Sequence, residues 1–284
     1  RITVDNISAE SGRCLHCKKP GCKEACPIGN DLPSFLRFVK NGDYVSAVKS
    51  IGHPFGEICG YVCPHDKKCQ GGCVLHKRSE SLNIGEIERR VFEMNPYKVE
   101  RLTDSLRGVK IAVVGGGVSG ITFAVKTYEA GADVTVFEKD KLLSTLKLIP
   151  GFRLPYDAIR RVENGVKAAF ETVYKTVDYE YLKTELQKKF DVVYVATGAL
   201  NGYGLGIEGE EFATDYKLFL QSKQIGSKVA VIGGGNSAID CARLAKRQGN
   251  EVWVAFRRTE SEMPAFKREV EDAKRAGVKF IVNA

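Results

Sequence analysis

The chain has 284 residues, of which 43% are hydrophobic and 27% charged, and its formal net charge is +8. The length allows two domains or one large one, and the composition is ordinary for a globular protein. No apolar run approaches the roughly 20 residues of a membrane helix, and no signal segment opens the chain. The positive charge is dispersed and not interleaved with aromatic residues, which disfavours nucleic-acid binding and suits mononucleotide phosphates or an acidic protein partner.

The first third of the chain is rich in cysteine. Eight of the nine cysteines lie between Cys14 and Cys73, and only Cys241 lies outside. Seven of them form two spaced groups: Cys14, Cys17, Cys22 and Cys26, then Cys63, Cys69 and Cys73. The first group resembles the cysteine run of bacterial ferredoxins. In a cytoplasmic protein, which we expect here, such a block indicates metal binding rather than disulfides.

One ligand place is left open by this count. Two four-iron clusters take eight ligands, and the two groups supply seven, so Cys59 and Glu88 are the candidates. Glu88 shares the apolar face of a predicted helix with Ile84 and Ile87, where a carboxylate needs either a metal or a basic side chain as partner. Structural zinc is the alternative metal, although zinc ribbons usually carry two C-x2-C pairs and only one pair has that spacing here. The four histidines near this block are predicted to be packing or surface residues.

Apolar residues at helical spacing predict three helices in this region and no strand. The helices lie in NDLPSFLRFVKNGD, with Asp31 as its cap, in DYVSAVKSIG, with Asp43 as its cap and Gly52 as its end, and in NIGEIERRVFEM. The polar stretch 95–108 predicts a linker.

Beyond the linker the pattern changes to strand, glycine turn and helix. Two βαβ units are predicted, VKIAVVGGGVSGITFAVKTYEAGADVTVFEK and SKVAVIGGGNSAIDCARLAKRQGNEVWVAFRR, with a further buried strand, FDVVYVATGA, between them. The predicted fold is therefore α/β, with a small all-helical iron–sulfur domain followed by two Rossmann-like nucleotide-binding domains. The expected boundaries are 1–107, 108–222 and 223–284.

The first glycine turn has the residues of a dinucleotide site. Gly115, Gly117 and Gly120 follow an apolar strand and open a helix, which allows a tight turn, close approach of a pyrophosphate and close packing of the helix. The helix N-terminus then directs free N–H groups at the phosphates. Glu138 ends the next strand, where an acidic side chain binds ribose hydroxyls.

The second glycine turn differs at two places. Gly233 and Gly235 are followed by Ala238 in the third position, and Arg257 and Arg258 stand at the end of its second strand. Guanidinium groups grip a 2′-phosphate, whereas an acid would repel it. This pattern predicts NADP at the second turn, and a solvated strand end is the alternative explanation of the arginine pair.

In combination these motifs resemble one family. RCLHCKKPGCKEACPIGNDLP, EICGYVCPHDKKCQGGCVL, IGEIERR, GFRLP, VYVATGA, VIGGGNSAID and FRRTESEMPAF are similar to segments of the small subunit of NADPH-dependent glutamate synthase. The same module occurs in the large subunit of ferredoxin–NADP transhydrogenases, in sulfide dehydrogenase and at the N-terminus of dihydropyrimidine dehydrogenase. The resemblance extends over nearly all of the chain.

The resemblance implies two 4Fe–4S clusters, FAD on the first turn and NADPH on the second. It assigns one cluster to Cys14, Cys17, Cys22 and Cys73, and the other to Cys26, Cys63, Cys69 and Glu88. Cys59 is then not a ligand. The cofactor-binding residues that we expect are Gly115, Gly117, Val118, Ser119, Gly120, Glu138, Lys139, Arg153, Ala196, Thr197 and Gly198 for FAD, and Gly233, Gly235, Asn236, Ser237, Ala238, Arg257 and Arg258 for NADPH.

Two departures from the family accompany these expectations. KLLSTLKLIP stands where the family usually has a Gly-Gly stretch against the flavin, and the sequence stops before the family's final segment. The second nucleotide-binding domain is therefore expected to be incomplete in this sequence.

The expected function is that of an electron-transfer flavoprotein, an NAD(P)H-dependent oxidoreductase subunit of the glutamate synthase small-subunit type. No catalytic side chain is expected, because the cofactors carry the chemistry. The expected partner is a larger catalytic or electron-accepting subunit, such as the glutamate synthase large subunit or a ferredoxin-linked flavoprotein. The alternatives are the large subunit of an electron-bifurcating transhydrogenase or sulfide dehydrogenase and, from another class, a non-catalytic iron–sulfur relay that has lost its flavin.

Overall fold

The structure, a computed structural model, describes residues 6–77, 79–199, 204, 206–221 and 226–284. Contacts within the chain define two compact units. The first comprises Arg1–Lys147 and Arg153–Gly198, and the second comprises Leu148–Phe152 and Ala199–Ala284. The helical cysteine region and the first βαβ unit thus share one compact unit. The domain boundary expected at 222/223 lies outside the described residues.

The N-terminal part of the first unit is helical. Its α-helices are α1 Ile7–Gly12, α2 Gly21–Glu24, α3 Leu32–Lys40, α4 Tyr44–Ile51, α5 Gly56–Val62 and α6 Ile84–Met94, with single 3₁₀ turns at His65–Lys67 and Val74–Lys77. The three helices predicted from periodicity are α3, α4 and α6.

The structure confirms one of the two helix caps that the sequence predicts. Asp43 caps α4 by accepting a hydrogen bond from Ser46 N at 3.0 Å, and Gly52 ends this helix with a φ of 70°. Asp31 occupies the cap position of α3, but its side chain makes no capping hydrogen bond. The predicted cap is therefore wrong in its chemistry, although the helix begins where expected.

The core of the helical part forms around these three helices. Its fully buried side chains include Phe35 and Leu36 from α3 and Ile84, Ile87 and Val91 from α6. Cys22 and Cys69 belong to the same core, so thiols from both cysteine groups lie at the edge of apolar packing.

A four-stranded parallel sheet follows in the first unit. Its elements are β1 Lys110–Val114, α7 Val118–Glu129, β2 Asp133–Glu138, α8 Tyr156–Ala169, β3 Glu171–Tyr174, α9 Tyr179–Tyr181, a π-helical turn Leu182–Leu186, α10 Gln187–Lys189 and β4 Val192–Val195. The strand order is β3-β2-β1-β4. The sheet thus places the first glycine turn at the carboxyl end of central strand β1, the position that binds ligands in such folds.

The second unit has a smaller parallel sheet of order β5-β6-β7. Its elements are α11 Tyr216–Gln221, β5 Lys228–Ile232, α12 Asn236–Arg247, β6 Glu251–Phe256, α13 Lys267–Arg275 and β7 Lys279–Val282. Cys241 is buried in its core, as predicted for a small apolar residue. The predicted α/β fold is confirmed, and no helix of the described ranges is long and apolar enough to cross a membrane.

Candidate functional site

Two cysteine loops meet through their glycines. A Cβ atom on Gly21 would lie 2.4 Å from Gly72 O, and one on Gly72 would lie 2.5 Å from Gly21 O. No side chain fits at either position, because both neighbours are backbone atoms. This contact joins the KPGC segment that leads to Cys22 to the QGGC segment that leads to Cys73.

The first set of thiols lines one pocket. Cys14, Cys17, Cys22 and Cys73 surround it together with apolar side chains that include Leu36 and Ile84. Burial raises the pKa of Cys22 to about 11, with the charges of Cys73 and Cys14 acting in the same direction. Burial also raises the pKa of Cys14, and Cys73 and Cys17 are among its charged neighbours. The four thiols that the family resemblance assigned to one cluster are therefore brought together.

The second set lies between α5 and α6. A Cβ atom on Gly60 of α5 would lie 2.7 Å from Gly85 O and 2.8 Å from the Cα of Arg89, so the two helix backbones are in contact there. Cys63 follows directly after α5, and Glu88 lies in α6, three residues beyond Gly85. The close approach of the helices places this thiol and this carboxylate at one boundary.

Glu88 is a buried carboxylate without a protein partner. Its residue is 3% exposed, and its Oε1 has no hydrogen-bond partner among the described residues. Burial raises its pKa to about 8. The described part of the chain shows no salt bridge to Glu88, so the basic partner considered from the sequence is not there. An orphaned buried oxygen beside several thiols suits a cationic metal site.

The other members of the second set surround this carboxylate. Burial, together with the charges of Glu88 and Cys26, raises the pKa of Cys63 to about 11. Burial raises the pKa of Cys69 as well, with Glu88, Cys63 and Cys26 as contributing neighbours. Burial raises the pKa of Cys59 too, and its charged neighbours are Glu88, Cys63, Cys26 and Cys69. Five potential donors therefore lie near one another, one more than the expected ligand set.

His65 is a contributor that the sequence did not single out. Its Nδ1 lies 3.2 Å from Cys69 Sγ and its Nε2 lies 2.9 Å from Cys59 O. Its ring covers Gly85, where an added Cβ would lie 2.4 Å from ring atoms. The expectation that the histidines pack or face solvent misses this contact with a thiol. Gly85 in IGEIER was the available clue, because a glycine inside a helix often allows a neighbouring group to approach closely, and here that group is the His65 ring.

Zinc finds no support in this arrangement. A zinc site draws four ligand atoms to about 2.0–2.3 Å from one centre. Among the side chains that the structure describes, no three His, Cys, Asp or Glu residues converge as ligands of a single ion.

The first glycine turn forms the expected cradle. Gly115 has a φ of 110°, and a Cβ on it would lie 2.3 Å from Ala196 O, so the turn touches the ATG segment that carries Thr197 and Gly198. A Cβ on Gly120 would lie 1.9 Å from Gly115 O. At Gly117 no atom lies within 4 Å of an added Cβ. This open side, next to the exposed residues Val118 and Ser119 of α7, is available to a pyrophosphate.

Glu138 is fixed at the end of β2. Its Oε2 accepts a hydrogen bond from Gly116 N at 2.6 Å, and its Oε1 accepts one from Asp140 N at 2.9 Å. A carboxylate has about four acceptor positions, so two remain for ribose hydroxyls. Lys139 beside it is exposed, and Arg153 is half-buried in the turn before α8.

The unusual stretch KLLSTLKLIP packs onto this turn. Leu143 N donates to Gly116 O at 2.8 Å, and Leu142 Cδ2 lies 2.5 Å from where a Cβ of Gly116 would be. Both leucines are buried, and Leu143 has a φ of 55°, an uncommon conformation for a residue with a side chain. The stretch therefore covers Gly116, whereas the space next to Gly117 stays open.

The second turn is built alike but held differently. Gly233 has a φ of 126°, and Gly235 has open space where a Cβ would be. Asn236 Oδ1 accepts a hydrogen bond from Phe266 N at 3.0 Å, which ties the turn to the segment before α13. Ser237 is exposed and Ala238 half-buried at the start of α12.

Arg257 and Arg258 follow β6 and are exposed. The Arg258 guanidinium lies 5.5 Å from the centre of the Phe256 ring. The described residues show no salt bridge to either arginine, so both guanidinium groups are available to a phosphate.

The sequence falls into two known families along its length. Residues 1–99 match the family of dihydropyrimidine dehydrogenase domain II, 4Fe-4S cluster. Residues 110–284 match the pyridine nucleotide-disulphide oxidoreductases, and this match covers more than half of the chain. The chain belongs to the pyridine nucleotide-disulphide oxidoreductase family. Its predicted character as an oxidoreductase with a 4Fe–4S domain is thereby confirmed.

Relatives extend this family assignment. The glutamate synthase [NADPH] small chain of Escherichia coli K12 is 30% identical over 97% of this chain and 64% of its own length. The NADP(+)-dependent formate dehydrogenase subunit beta of Moorella thermoacetica is also 30% identical, over 92% of this chain and 43% of its own length. This oxidoreductase chain spans about two thirds or less of such relatives. The predicted kinship with glutamate synthase small subunits is confirmed.

Solved structures support the fold alone. The 2-naphthoyl-CoA reductase complex aligns with a TM-score of 0.57 at 21% identity, over 93% of this chain and 38% of that one. Histamine dehydrogenase from Rhizobium sp. 4-9 aligns with a TM-score of 0.54 at 15% identity, over 94% of this chain and 41% of that one.

Proposed function

We propose that this oxidoreductase chain holds FAD at the first glycine turn, NADPH at the second, and two 4Fe–4S clusters in its helical part. It would act as a cytoplasmic electron-transfer subunit of the glutamate synthase small-subunit type. The observation that carries this proposal is that both thiol sets and the first glycine turn lie in one compact unit. When bound, the flavin and the clusters would supply the electron-transfer chemistry.

The protein's own residues bind and orient these groups. One cluster would be held by Cys14, Cys17, Cys22 and Cys73, and the other by Cys26, Cys63, Cys69 and Glu88. Apolar side chains line the first pocket, in which Cys22 is buried and Cys14, Cys17 and Cys73 are half-buried.

The two nucleotides would be distinguished by charge. Glu138 would accept hydrogen bonds from the ribose hydroxyls of FAD, since its carboxylate is already oriented by Gly116 N and Asp140 N. Arg257 and Arg258 would bind the 2′-phosphate of NADPH. The open sides at Gly117 and Gly235 would admit the two pyrophosphates.

The proposed partner is a larger subunit that accepts or uses the electrons. The names of relatives support it, because they describe a small chain and beta subunits. A transhydrogenase-type large subunit is the alternative within the same class. A relay protein without flavin is the alternative outside it, and the two leucines that cover Gly116 are the observation in its favour.

Cofactor analysis of anaerobically purified protein tests the proposal. We expect flavin bands together with iron–sulfur absorption, about one FAD per chain and about eight irons per chain. Iron without flavin would establish the relay, and one metal ion per thiol set would establish structural metal. Co-purifying chains, identified by mass spectrometry, name the partner.

A further inference from the structure

We infer that Cys59 is a reserve ligand, so that the second iron site can be completed by either Glu88 or Cys59. This inference rests on the proposed second cluster. Its starting point is a surplus of donors where α5 touches α6: Cys59 lies one helical turn before the expected ligand Cys63, Glu88 lies on the facing helix, and a four-iron cluster takes only four ligands.

Cys59 is held on the same side of α5 as an expected ligand. Cys63 N donates to Cys59 O at 3.0 Å, so the two cysteines lie one helical turn apart. The His65 ring also contacts Cys59 O, at 2.9 Å, and its other nitrogen faces Cys69 Sγ. The backbone that carries Cys59 is therefore tied to the segments of two expected ligands.

Close contacts between α5 and α6 also fix the positions of Cys59 and Glu88. A Cβ on Gly56 would lie 2.4 Å from the Phe92 ring, and one on Gly60 would lie 2.5 Å from Arg89 Cβ. These contacts flank Cys59 on α5 and Glu88 on α6. Because α5 and α6 touch on both sides of the pair, the backbone positions of Cys59 and Glu88 are fixed relative to each other.

Electrostatics agree with this placement. Burial raises the pKa of Cys59 well above its usual value, and Glu88 is the strongest of its charged neighbours. Glu88 Oε1 is buried and has no hydrogen-bond partner among the described residues, so no protein group competes for this oxygen.

The exchange balances without a redox partner. The iron–oxygen bond to Glu88 breaks, an iron–sulfur bond to Cys59 forms, and the thiol proton passes to the released carboxylate. No electron is gained or lost. A soft thiolate in place of a hard carboxylate changes the cluster's reduction potential, since ligation and local charge set it.

Four variants of the full chain test this inference: Glu88→Ala, Cys59→Ser, the double variant Glu88→Ala/Cys59→Ser, and the control Glu88→Ala/Cys241→Ser. Cys241 is a buried cysteine in the second unit, so the control removes a thiol without touching either thiol set. Iron content and low-temperature electron paramagnetic resonance of the reduced protein are measured for each.

We expect both clusters in Glu88→Ala, with a changed resonance and potential for one of them, because Cys59 completes the site. Cys59→Ser should match the unmodified protein. The double variant should fall from about eight to about four irons per chain, and the control should match Glu88→Ala.

Loss of one cluster in Glu88→Ala itself would overturn the inference, since Cys59 would then be present and unable to bind. Retention of both clusters in the double variant would overturn it too. If Glu88→Ala fails to fold, Glu88→Leu serves in its place, because an apolar side chain of similar size removes the donor without leaving a buried charge or cavity. About four irons in the unmodified protein would instead refute the proposed second cluster.

Discussion

The two glycine turns begin alike and end differently. Both place a glycine with positive φ after a strand and leave open space at the next ligand-facing glycine, Gly117 or Gly235. The strand ends then diverge, because the first has a buried acid and the second has two exposed arginines. In the proposed function the shared part would bind a pyrophosphate, and the divergent part would distinguish the groups attached to the ribose.

The two turns also differ at their third position, where the first has Gly120 and the second has Ala238. Packing inside the protein, and not contact with a ligand, explains this difference. A Cβ at Gly120 would lie 1.9 Å from Gly115 O, whereas Ala238 already carries a Cβ, and even a Cβ added to Gly233 would lie 3.7 Å from it. The second turn therefore accommodates a methyl group at this position, and the first does not. Glycine is required in one turn and optional in the other.

Exchange of these two residues should give the largest difference. Gly120→Ala should lower the free energy of unfolding by about 2–3 kcal/mol and abolish flavin retention, because backbone must move to accept the methyl group. Ala238→Gly should cost only about 1 kcal/mol, the helix propensity of the lost methyl group. Urea unfolding and flavin content measure both. Equal losses in the two variants would mean that the turns do not differ in packing.

Loss of the arginine pair should have the next largest effect. Replacing Arg257 and Arg258 by Gln removes charge-assisted contacts of about 1.5–3 kcal/mol each, so KM for NADPH should rise roughly ten- to hundredfold per contact. NADH has no 2′-phosphate, and its KM should be unchanged. The matched control is Arg268→Gln/Arg275→Gln, on exposed positions of α13. An unchanged preference for NADPH in the first variant would refute the assignment of the second turn.

Neutralising the acid of the first turn should have a smaller effect. Glu138→Gln keeps one carbonyl oxygen for Gly116 N but turns an amide donor toward Asp140 N or toward the ribose. We expect the dissociation constant of FAD to rise about tenfold, the value of one charge-assisted hydrogen bond. Glu171→Gln, at an exposed position in the same sheet, is the control. Flavin fluorescence on dilution measures the change, and unaltered affinity would remove Glu138 from the site.

The glycine turns could be predicted because their requirements are local. Strand, glycine spacing, helix and strand-end charge all lie within about thirty consecutive residues of each βαβ unit. The pairing of the cysteine loops could be expected only from the family resemblance and not from local spacing, because it depends on Gly21 meeting Gly72, which lies far along the chain. The contact of His65 with Cys69 and the nearness of Cys59 to Glu88 likewise depend on how α5 packs on α6.

The packing of the stretch KLLSTLKLIP on the first glycine turn could not be predicted from its sequence. The sequence showed that leucines stand where glycines are usual, but it did not show that Leu143 keeps a left-handed φ of 55° and donates to Gly116 O. Only the packed structure shows that Gly117 stays open.

Anaerobic titration of the cofactor-loaded protein with NADPH and, separately, with NADH, followed by visible absorption, tests the proposed electron path. In that path, FAD at the first turn takes electrons from NADPH at the second and passes them toward the iron sites. We predict that NADPH bleaches the flavin bands and then the iron–sulfur absorption, and that NADH at equal concentration does so at least tenfold more slowly. Equal rates with both nucleotides, or no bleaching of flavin by NADPH, would contradict the account.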